Sequence, residues 1–141
     1  LRAARFISAR EAEAVNARAI ERLFASALGR RILAAEEPMR EFRFSLLMDA
    51  DKLYGDAAKG EELLLQGVVD CCIEEDGELV IIDYKTDYVK TDEDIASRAE
   101  LYRGQLMAYA EALHRICGKP VKECVLYFLS ADRAVTVYKK T

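Results

Sequence analysis

Two acidic residues and one lysine carry the clearest chemical signal in the sequence. Asp70 and Asp83 each follow a run of aliphatic residues, and Lys85 stands two positions after Asp83. Residues two apart on a strand share one face and lie about 7 Å apart along it. Carboxylates suit Mg²⁺ or Mn²⁺, and a nearby ammonium can stabilise negative charge that develops on a phosphate. The pattern predicts a metal-dependent phosphodiesterase site, whereas the alternative is an exposed surface ion pair beside a solvated acid.

A predicted β-hairpin brings the two acids together. Residues 63–74 and 78–86 are rich in β-forming side chains and flank an Asp-Gly pair, which is a strong signal for a two-residue turn. If Glu75 pairs with Glu78, counting away from the turn along both strands places Asp70 opposite Asp83. Like charges at such a pair need compensation, either by a bound proton or by a cation. A divalent metal meets that need directly.

The other elements follow from hydrophobic spacing and capping residues. Both faces of the hairpin are largely apolar, so we expect its strands to lie centrally with cover on both sides. The predicted order is helix, strand, hairpin, helix and two strands, an α/β sandwich around a mixed sheet. The predicted elements are a helix from the capping box Ser8–Glu11 to about Gly29, a short helix at 30–35, a strand at 40–48, a polar loop at 49–61, a helix from Thr91 to Gly118, and strands at 121–129 and 134–138.

Composition limits the kind of protein this is. The chain has 141 residues, of which 52% are hydrophobic, which is enough for one core and favours a single domain over 1–141. The chain begins with leucine, so we expect it to be part of a longer protein. No apolar run in this sequence approaches membrane length, and no basic segment precedes an apolar run as a signal peptide would require, so we expect a cytosolic protein. The net charge of −4 argues against binding DNA through an overall positive field.

The cysteines and the histidine do not form a recognisable metal motif. Cys71, Cys72, Cys117 and Cys124 include no Cys-x-x-Cys pair, and His114 is the only histidine. Zinc and iron–sulfur clusters are therefore not expected. Buried free thiols are the better interpretation.

Three segments together resemble the RecB/AddA-like nucleases of the PD-(D/E)XK superfamily, and the AddA type most. The resemblance covers about residues 40–138 and implies a restriction-endonuclease-like fold. It implies the C-terminal nuclease domain of a bacterial, cytoplasmic helicase–nuclease that processes DNA double-strand breaks, whose partners are a helicase in the same chain and a second helicase–nuclease subunit. The segments are Gln66-Gly-Val-Val-Asp70, Leu79-Val-Ile-Ile-Asp83-Tyr-Lys85-Thr-Asp87 and Tyr102-Arg-Gly-Gln-Leu-Met-Ala-Tyr109.

The resemblance also implies roles for individual residues. Asp70 and Asp83 would ligate the metal, the carbonyl of Tyr84 could add a ligand, and Lys85 would be the catalytic lysine. An alternative within the same family is a catalytically silent module that binds DNA or scaffolds a partner. A metal-free interaction domain with ordinary surface acids is a third hypothesis.

Three further residues match family positions outside the central motif. Gln105 and Tyr109 fit a Gln-x-x-x-Tyr helix motif, and their spacing places them on one helix face, where they could contact phosphate or support the site. For Tyr109 the alternative is core packing. Glu41 matches an acidic position on the first strand, and the alternative is a solvated acid at a strand edge.

The sequence also departs from the family. RecB-like nucleases commonly carry a histidine ligand in a helix before the first strand, and this chain has none there. His114 lies outside every motif and is interpreted as a surface or packing residue. Four basic residues could line a phosphate path, although such a set is usually a solvated face: Lys85, Lys90, Arg98 and Arg103.

Overall fold

A computed structural model describes residues 17–141, and in it five strands form one mixed sheet. The strands are β1 (Met39–Asp49), β2 (Glu62–Glu75), β3 (Glu78–Lys85), β4 (Val121–Phe128) and β5 (Arg133–Lys139). The helices are α1 (Ala17–Ala25), α2 (Ala27–Ala34), α3 (Asp51–Tyr54) and α4 (Asp92–Cys117), with a 3-10 turn at Asp56–Ala58.

The strands lie in the sheet in the order of the chain. All neighbouring strands are antiparallel except β3 and β4, which are parallel and are joined by the crossover helix α4. Two parallel strands need such a crossover, because the chain must return to the end of the sheet at which the first strand began. The predicted α/β fold, with a mixed sheet flanked by helices, is confirmed.

The β2–β3 hairpin has the predicted register. Glu75 pairs with Glu78 and Cys71 pairs with Ile82. The two turn residues, Asp76 and Gly77, have φ angles of 54° and 79°. A two-residue hairpin turn of this kind needs positive φ at both positions, which Asp-Gly tolerates better than most pairs. The turn therefore sets the register as expected.

The sheet is covered on both faces, as predicted for its central strands. Burying one large aliphatic side chain contributes about 1.5–3 kcal/mol, so the two layers supply much of the stability of the domain. Fully buried residues of the layer under α4 include Ile81, Leu106, Leu113 and Phe128. Those under α1 and α2 include Leu23, Ile32, Ile82 and Leu129.

The N-terminal helical region differs from the prediction. The predicted helix is interrupted at Ser26, which caps the N-terminus of α2 by accepting a hydrogen bond from Gly29 N at 3.1 Å. Gly29 therefore lies inside α2 rather than at a helix end. A Cβ at Gly29 would lie 2.1 Å from the carbonyl oxygen of Leu23. Glycine is thus required by the close approach of two successive helices. The predicted capping box at Ser8–Glu11 lies outside the described residues.

The connection between β1 and β2 is more ordered than the predicted polar loop. It contains α3 and the 3-10 turn, and its glycines, Gly55 and Gly60, have φ angles of 81° and 90°. Ala50 is buried and its N–H donates to the carbonyl of Glu61 at 2.8 Å. This hydrogen bond closes the loop, so short helical turns can form within it.

Helix α4 begins and ends as predicted. Thr91 Oγ1 accepts from Asp94 N at 3.1 Å, and the Asp94 carboxylate accepts from Thr91 N at 3.2 Å, which forms a capping box. Gly118 ends the helix with a φ of 71°. Ile116, in the last turn of α4, is 42% exposed. Among residues 17–141, no helix combines the length and the apolar character needed to cross a membrane.

Three of the four cysteines are buried, as predicted. Burial raises the pKa of the Cys71, Cys72 and Cys124 thiols to about 12. These side chains therefore stay protonated at neutral pH and pack as small apolar groups.

Candidate active site

The carboxylate of Asp70 takes the place of a backbone contact between β2 and β3. The last paired residues of this ladder are Cys71 and Ile82, and one step further Asp70 Oδ2 accepts a hydrogen bond from Tyr84 N at 2.9 Å. The Asp70 side chain is therefore fixed against the backbone of the residue that follows Asp83. The predicted pairing of Asp70 with Asp83 falls one step beyond the last pair of this ladder.

Asp70 lies at an irregularity in β2. Val69 and Cys72 both belong to the core under α4, although residues three apart on a regular strand face opposite sides. The alternation of side chains therefore shifts between them, although the register with β1 is the same on both sides, as Arg40–Cys71 and Phe42–Val69 show. Here the shift frees the Asp70 carboxylate to reach the β3 backbone.

Asp83 and Lys85 form a largely buried ion pair. Lys85 Nζ lies 2.8 Å from Asp83 Oδ2, and the two side chains are 17% and 9% exposed. Burial is the largest single effect on Lys85 and acts to lower its pKa, but the interactions with Asp83, together with smaller ones from Tyr102 and Asp70, outweigh it and the pKa is raised. Within residues 17–141, Asp83 Oδ2 accepts no hydrogen bond of standard geometry, so the ammonium satisfies it by charge alone.

Tyr102 and Asp87 complete the surroundings of Lys85. Lys85 Nζ lies 3.9 Å from the centroid of the Tyr102 ring, and Tyr102 donates its hydroxyl to Asp87 Oδ2 at 2.8 Å. Sequence reasoning assigned neither residue to the site, although both lie within the quoted motifs. The sequence does contain a signal for Tyr102: it precedes Gln105 by three positions, and residues three apart lie on the same face of a helix.

Tyr109 combines packing with proximity to the acids. Its ring meets Phe44 edge to face with centroids 5.2 Å apart, and a Cβ at Gly67 would lie 2.6 Å from its ring carbons. Burial, and after it the charge of Asp83, raises the pKa of the Tyr109 phenol. Gln105 Nε2 lies 3.4 Å from the Tyr109 hydroxyl. The Gln-x-x-x-Tyr pair therefore faces the β2 segment that leads to Asp70.

Glu41 is exposed and has an unusual backbone conformation. Its φ is 46°, a region that few residues other than glycine adopt. The neighbouring pairs Arg40–Cys71 and Phe42–Val69 place Glu41 opposite Asp70 on the edge strand. Glu41 on β1 and Asp70 on β2 are thus cross-strand neighbours at this point of the sheet. Local strain of this kind costs about 1–3 kcal/mol and is often found at functional sites.

The donor set fits a hard divalent cation. Asp83 provides a buried carboxylate oxygen that lacks a hydrogen bond, and Asp70 adds a second carboxylate. Mg²⁺ commonly binds through one or two carboxylates and completes its shell with water and phosphate oxygens. A cage made by the protein alone is not formed, because no group of three His, Cys, Asp or Glu residues converges within residues 17–141.

The other candidates lie at the edges of this site or away from it. His114 is at the C-terminal end of α4, with Nδ1 2.9 Å from the carbonyl oxygen of Lys119. Arg103 pairs with Glu100 at 3.0 Å and donates to a backbone carbonyl of β5. Arg98 lies 3.8 Å from Asp87, on the side of α4 nearest Lys85.

Comparisons with known proteins agree with this geometry. Residues 2–139 match the family model of the PD-(D/E)XK nuclease superfamily. Similar proteins, each named as an ATP-dependent helicase/nuclease subunit, occur in Geobacillus thermodenitrificans (42% identical, 93% of this chain), Alkaliphilus metalliredigens (46%, 92%) and Clostridium botulinum (38%, 94%). The chain spans only 10–11% of the length of these relatives. The chain belongs to the PD-(D/E)XK nuclease superfamily.

Proposed function

We propose that this domain cleaves DNA by hydrolysing its phosphodiester bonds and that this activity depends on Mg²⁺ or Mn²⁺. The observation that carries the proposal is the convergence of Asp70, Asp83 and Lys85 at the end of the β2–β3 ladder. The Asp70 carboxylate lies on the Tyr84 backbone and the Lys85 ammonium lies 2.8 Å from Asp83. Two acids and a cation in a partly buried site suit an anionic substrate that arrives with a metal.

Each residue has a distinct role in this proposal. Asp70 and Asp83, with the carbonyl of Tyr84, would hold the metal. When bound, the ion supplies a water of lowered pKa and positive charge against the phosphate. Lys85 would turn from Asp83 towards a phosphate oxygen and stabilise the charge that develops there. Because the Tyr102 ring lies under the ammonium, Lys85 stays directed into the site.

Gln105 and Tyr109 would support the substrate or the site backbone. Both project from the part of α4 that faces β2, and the Tyr109 phenol lies within electrostatic range of Asp83 and Asp70. An amide and a phenol at this position can donate to a phosphate oxygen. Glu41, opposite Asp70, would add a third acid at the exposed edge of the site.

The relatives suggest the setting in which such a domain works. Their name combines a helicase with a nuclease, and this chain corresponds to about a tenth of their length. We propose a bacterial, cytoplasmic helicase–nuclease that processes DNA double-strand breaks, whose partners are the helicase in the same chain and a second helicase–nuclease subunit. A net charge of −4 fits a nuclease that receives its strand through tethering rather than through its own affinity.

A second candidate is a catalytically silent module of the same family. The observation that favours it is the ion pair itself, because Lys85 already neutralises Asp83. The absence of a third converging ligand within residues 17–141 points the same way. Such a module would bind DNA or scaffold a partner without cutting.

Strand cleavage separates the two candidates. A labelled single-stranded DNA is incubated with the wild type, Asp83→Asn or Lys85→Ala in Mg²⁺ or Mn²⁺, with Glu111→Gln as a matched charge control because Glu111 pairs with Arg115 elsewhere on α4. We expect each active-site variant to lose about 100-fold or more of the rate and the control to keep it. Equal product from all four proteins would exclude the nuclease proposal and favour the catalytically silent module.

A further inference from the structure

The segment between β3 and α4 presents an aromatic ring to solvent next to the active site. Tyr88 is 77% exposed, although both of its neighbours are held in place. The carbonyl of Asp87 accepts from Ser130 Oγ at 2.7 Å, and Val89 is buried at 7% exposure. The backbone is thus anchored on both sides of Tyr88 while its phenol ring projects outwards.

Tyr88 forms one wall of a cleft on the side of α4. The cleft has a volume of about 460 Å³, which lies within the range of ligand sites. Leu101, another lining residue, is 71% exposed, so the cleft offers two apolar side chains to a flat ligand. We call this feature the Tyr88 cleft; its lining residues are Tyr88, Val89, Asp94, Ser97, Arg98 and Leu101.

Cationic groups border the cleft. Lys90 Nζ lies 5.6 Å from the centroid of the Tyr88 ring, and the Arg98 side chain is 52% exposed. The Asp94 carboxylate, the acid of the lining, is engaged by the backbone N–H groups of Lys90 and Thr91 at 3.1 and 3.2 Å. The rim therefore presents two cations, Lys90 and Arg98, beside an acid whose Oδ2 is already hydrogen-bonded, and cations suit phosphate groups.

Contacts through Asp87 link the cleft to the proposed catalytic site. Asp87, which receives the Tyr102 hydroxyl, stands directly between Lys85 and Tyr88 along the chain and lies 3.8 Å from Arg98. Three residues span at most about 10 Å, which corresponds to about three nucleotides at the 3.4 Å spacing of a stacked strand. A strand whose phosphate lies at Lys85 would reach Tyr88 with one of its next few bases.

From these observations we infer that the Tyr88 cleft is a subsite for single-stranded DNA beside the scissile phosphate. One base stacks on Tyr88, and Lys90 and Arg98 contact the flanking phosphates. The inference rests on the proposed function for the identity of the substrate. A single strand is required because the face of a base is available to an aromatic side chain only when the base is unstacked from its neighbours.

Tryptophan fluorescence tests this directly, because the chain contains no tryptophan. Tyr88→Trp introduces one indole in the cleft, and Tyr54→Trp introduces one at a matched position on α3, where Tyr54 is 73% exposed. Each variant is titrated with oligothymidylate in EDTA and low salt, so that no cleavage occurs. We expect saturable quenching for Tyr88→Trp and none for Tyr54→Trp.

Further titrations identify the interaction. An abasic oligonucleotide of the same length keeps the phosphates but should not quench Tyr88→Trp, and a duplex of the same sequence should quench it weakly. With a labelled oligothymidylate, Tyr88→Ala should weaken binding about 10-fold, since stacking contributes about 1–3 kcal/mol per base. Tyr88→Phe should bind like the wild type because it keeps the ring.

The outcomes separate this inference from the proposed function. Absence of quenching in Tyr88→Trp, equal quenching in both variants, or equal binding by Tyr88→Ala and the wild type would overturn the subsite. If the wild type cleaves DNA while the subsite fails these tests, the nuclease proposal stands alone. If quenching occurs but no strand is cut, the subsite stands and the nuclease proposal fails.

Discussion

The main-chain N–H of Tyr84 donates to the Asp70 carboxylate at 2.9 Å, where a regular β-ladder would have a carbonyl acceptor. One side chain thus joins two strands at the point where their pairing stops. The same contact fixes an acid beside the buried Asp83–Lys85 ion pair. Folding and the proposed chemistry therefore depend on the same carboxylate.

Substitution of Asp70 should separate these two roles. Asp70→Ala leaves the N–H of the buried Tyr84 without this acceptor, so we expect the free energy of unfolding to fall by about 1–3 kcal/mol. Asp70→Asn keeps an acceptor oxygen and should lose less stability, although it should lose cleavage because it removes the negative charge. Urea denaturation measures the difference; equal stability of Asp70→Ala and the wild type would contradict the structural role.

Gly67 should not tolerate a side chain. A Cβ there would lie 2.6 Å from the Tyr109 ring, so Gly67→Ala must displace the ring or the strand, and we expect about 1–3 kcal/mol of destabilisation. Gly104→Ala is the matched control: it has open space on the exposed side of α4 and should stabilise by up to about 1 kcal/mol. Thermal unfolding of both variants tests the contrast, and similar effects of the two would argue against close Tyr109 packing.

An ion pair between Arg31 of α2 and Glu75, the last residue of β2, predicts a dependence of stability on pH. Hydrogen bonds from Arg31, at 3.0 and 2.8 Å, lower the pKa of Glu75 to about 2, from an ordinary value of 4.5. The folded-state pKa is depressed, so this stabilisation is present above about pH 4.5 and is lost as the pH falls towards 2.

Glu75→Gln isolates that contribution. The wild type should be more stable than the variant by about 1 kcal/mol at about pH 6, a modest figure because the pair is partly exposed to solvent. The difference should shrink between about pH 4.5 and pH 2.5, as the carboxylate takes up a proton. A constant difference over this range in urea titrations would show that Glu75 is not held in its ionised form.

Tyr102 should act through its ring as well as its hydroxyl. Tyr102→Phe keeps the ring under the Lys85 ammonium and loses only the hydrogen bond to Asp87, whereas Tyr102→Leu loses both. A cation–π contact contributes about 0.5–2 kcal/mol, so we expect Tyr102→Leu to cleave about 2- to 30-fold more slowly than Tyr102→Phe. Equal rates for the two variants in the strand-cleavage assay would exclude a role for the ring.

The part of the fold that local chemistry determines could be predicted from the sequence. Asp76-Gly77 specified a two-residue turn, and that turn fixed the register that brings Asp70 towards Asp83. Thr91 and Gly118 marked the ends of α4 for the same reason, because caps depend on neighbouring backbone groups.

Features that arise from tertiary packing could not be predicted in this way. The break at Ser26 depends on how closely Gly29 approaches Leu23, and the positive φ of Glu41 depends on the β2 irregularity opposite it. The spacing of Tyr102 places it on the helix face of Gln105, but its contact with the Lys85 ammonium depends on how α4 packs against β3.

Titration calorimetry of Mn²⁺ binding to the isolated domain tests most directly whether Asp70 and Asp83 act as a pair of metal ligands. The wild type should give a saturable heat for about one ion, and Asp70→Ala and Asp83→Asn should each give only the heat of dilution. A wild-type signal no larger than that of the two variants would contradict a divalent cation held between these acids.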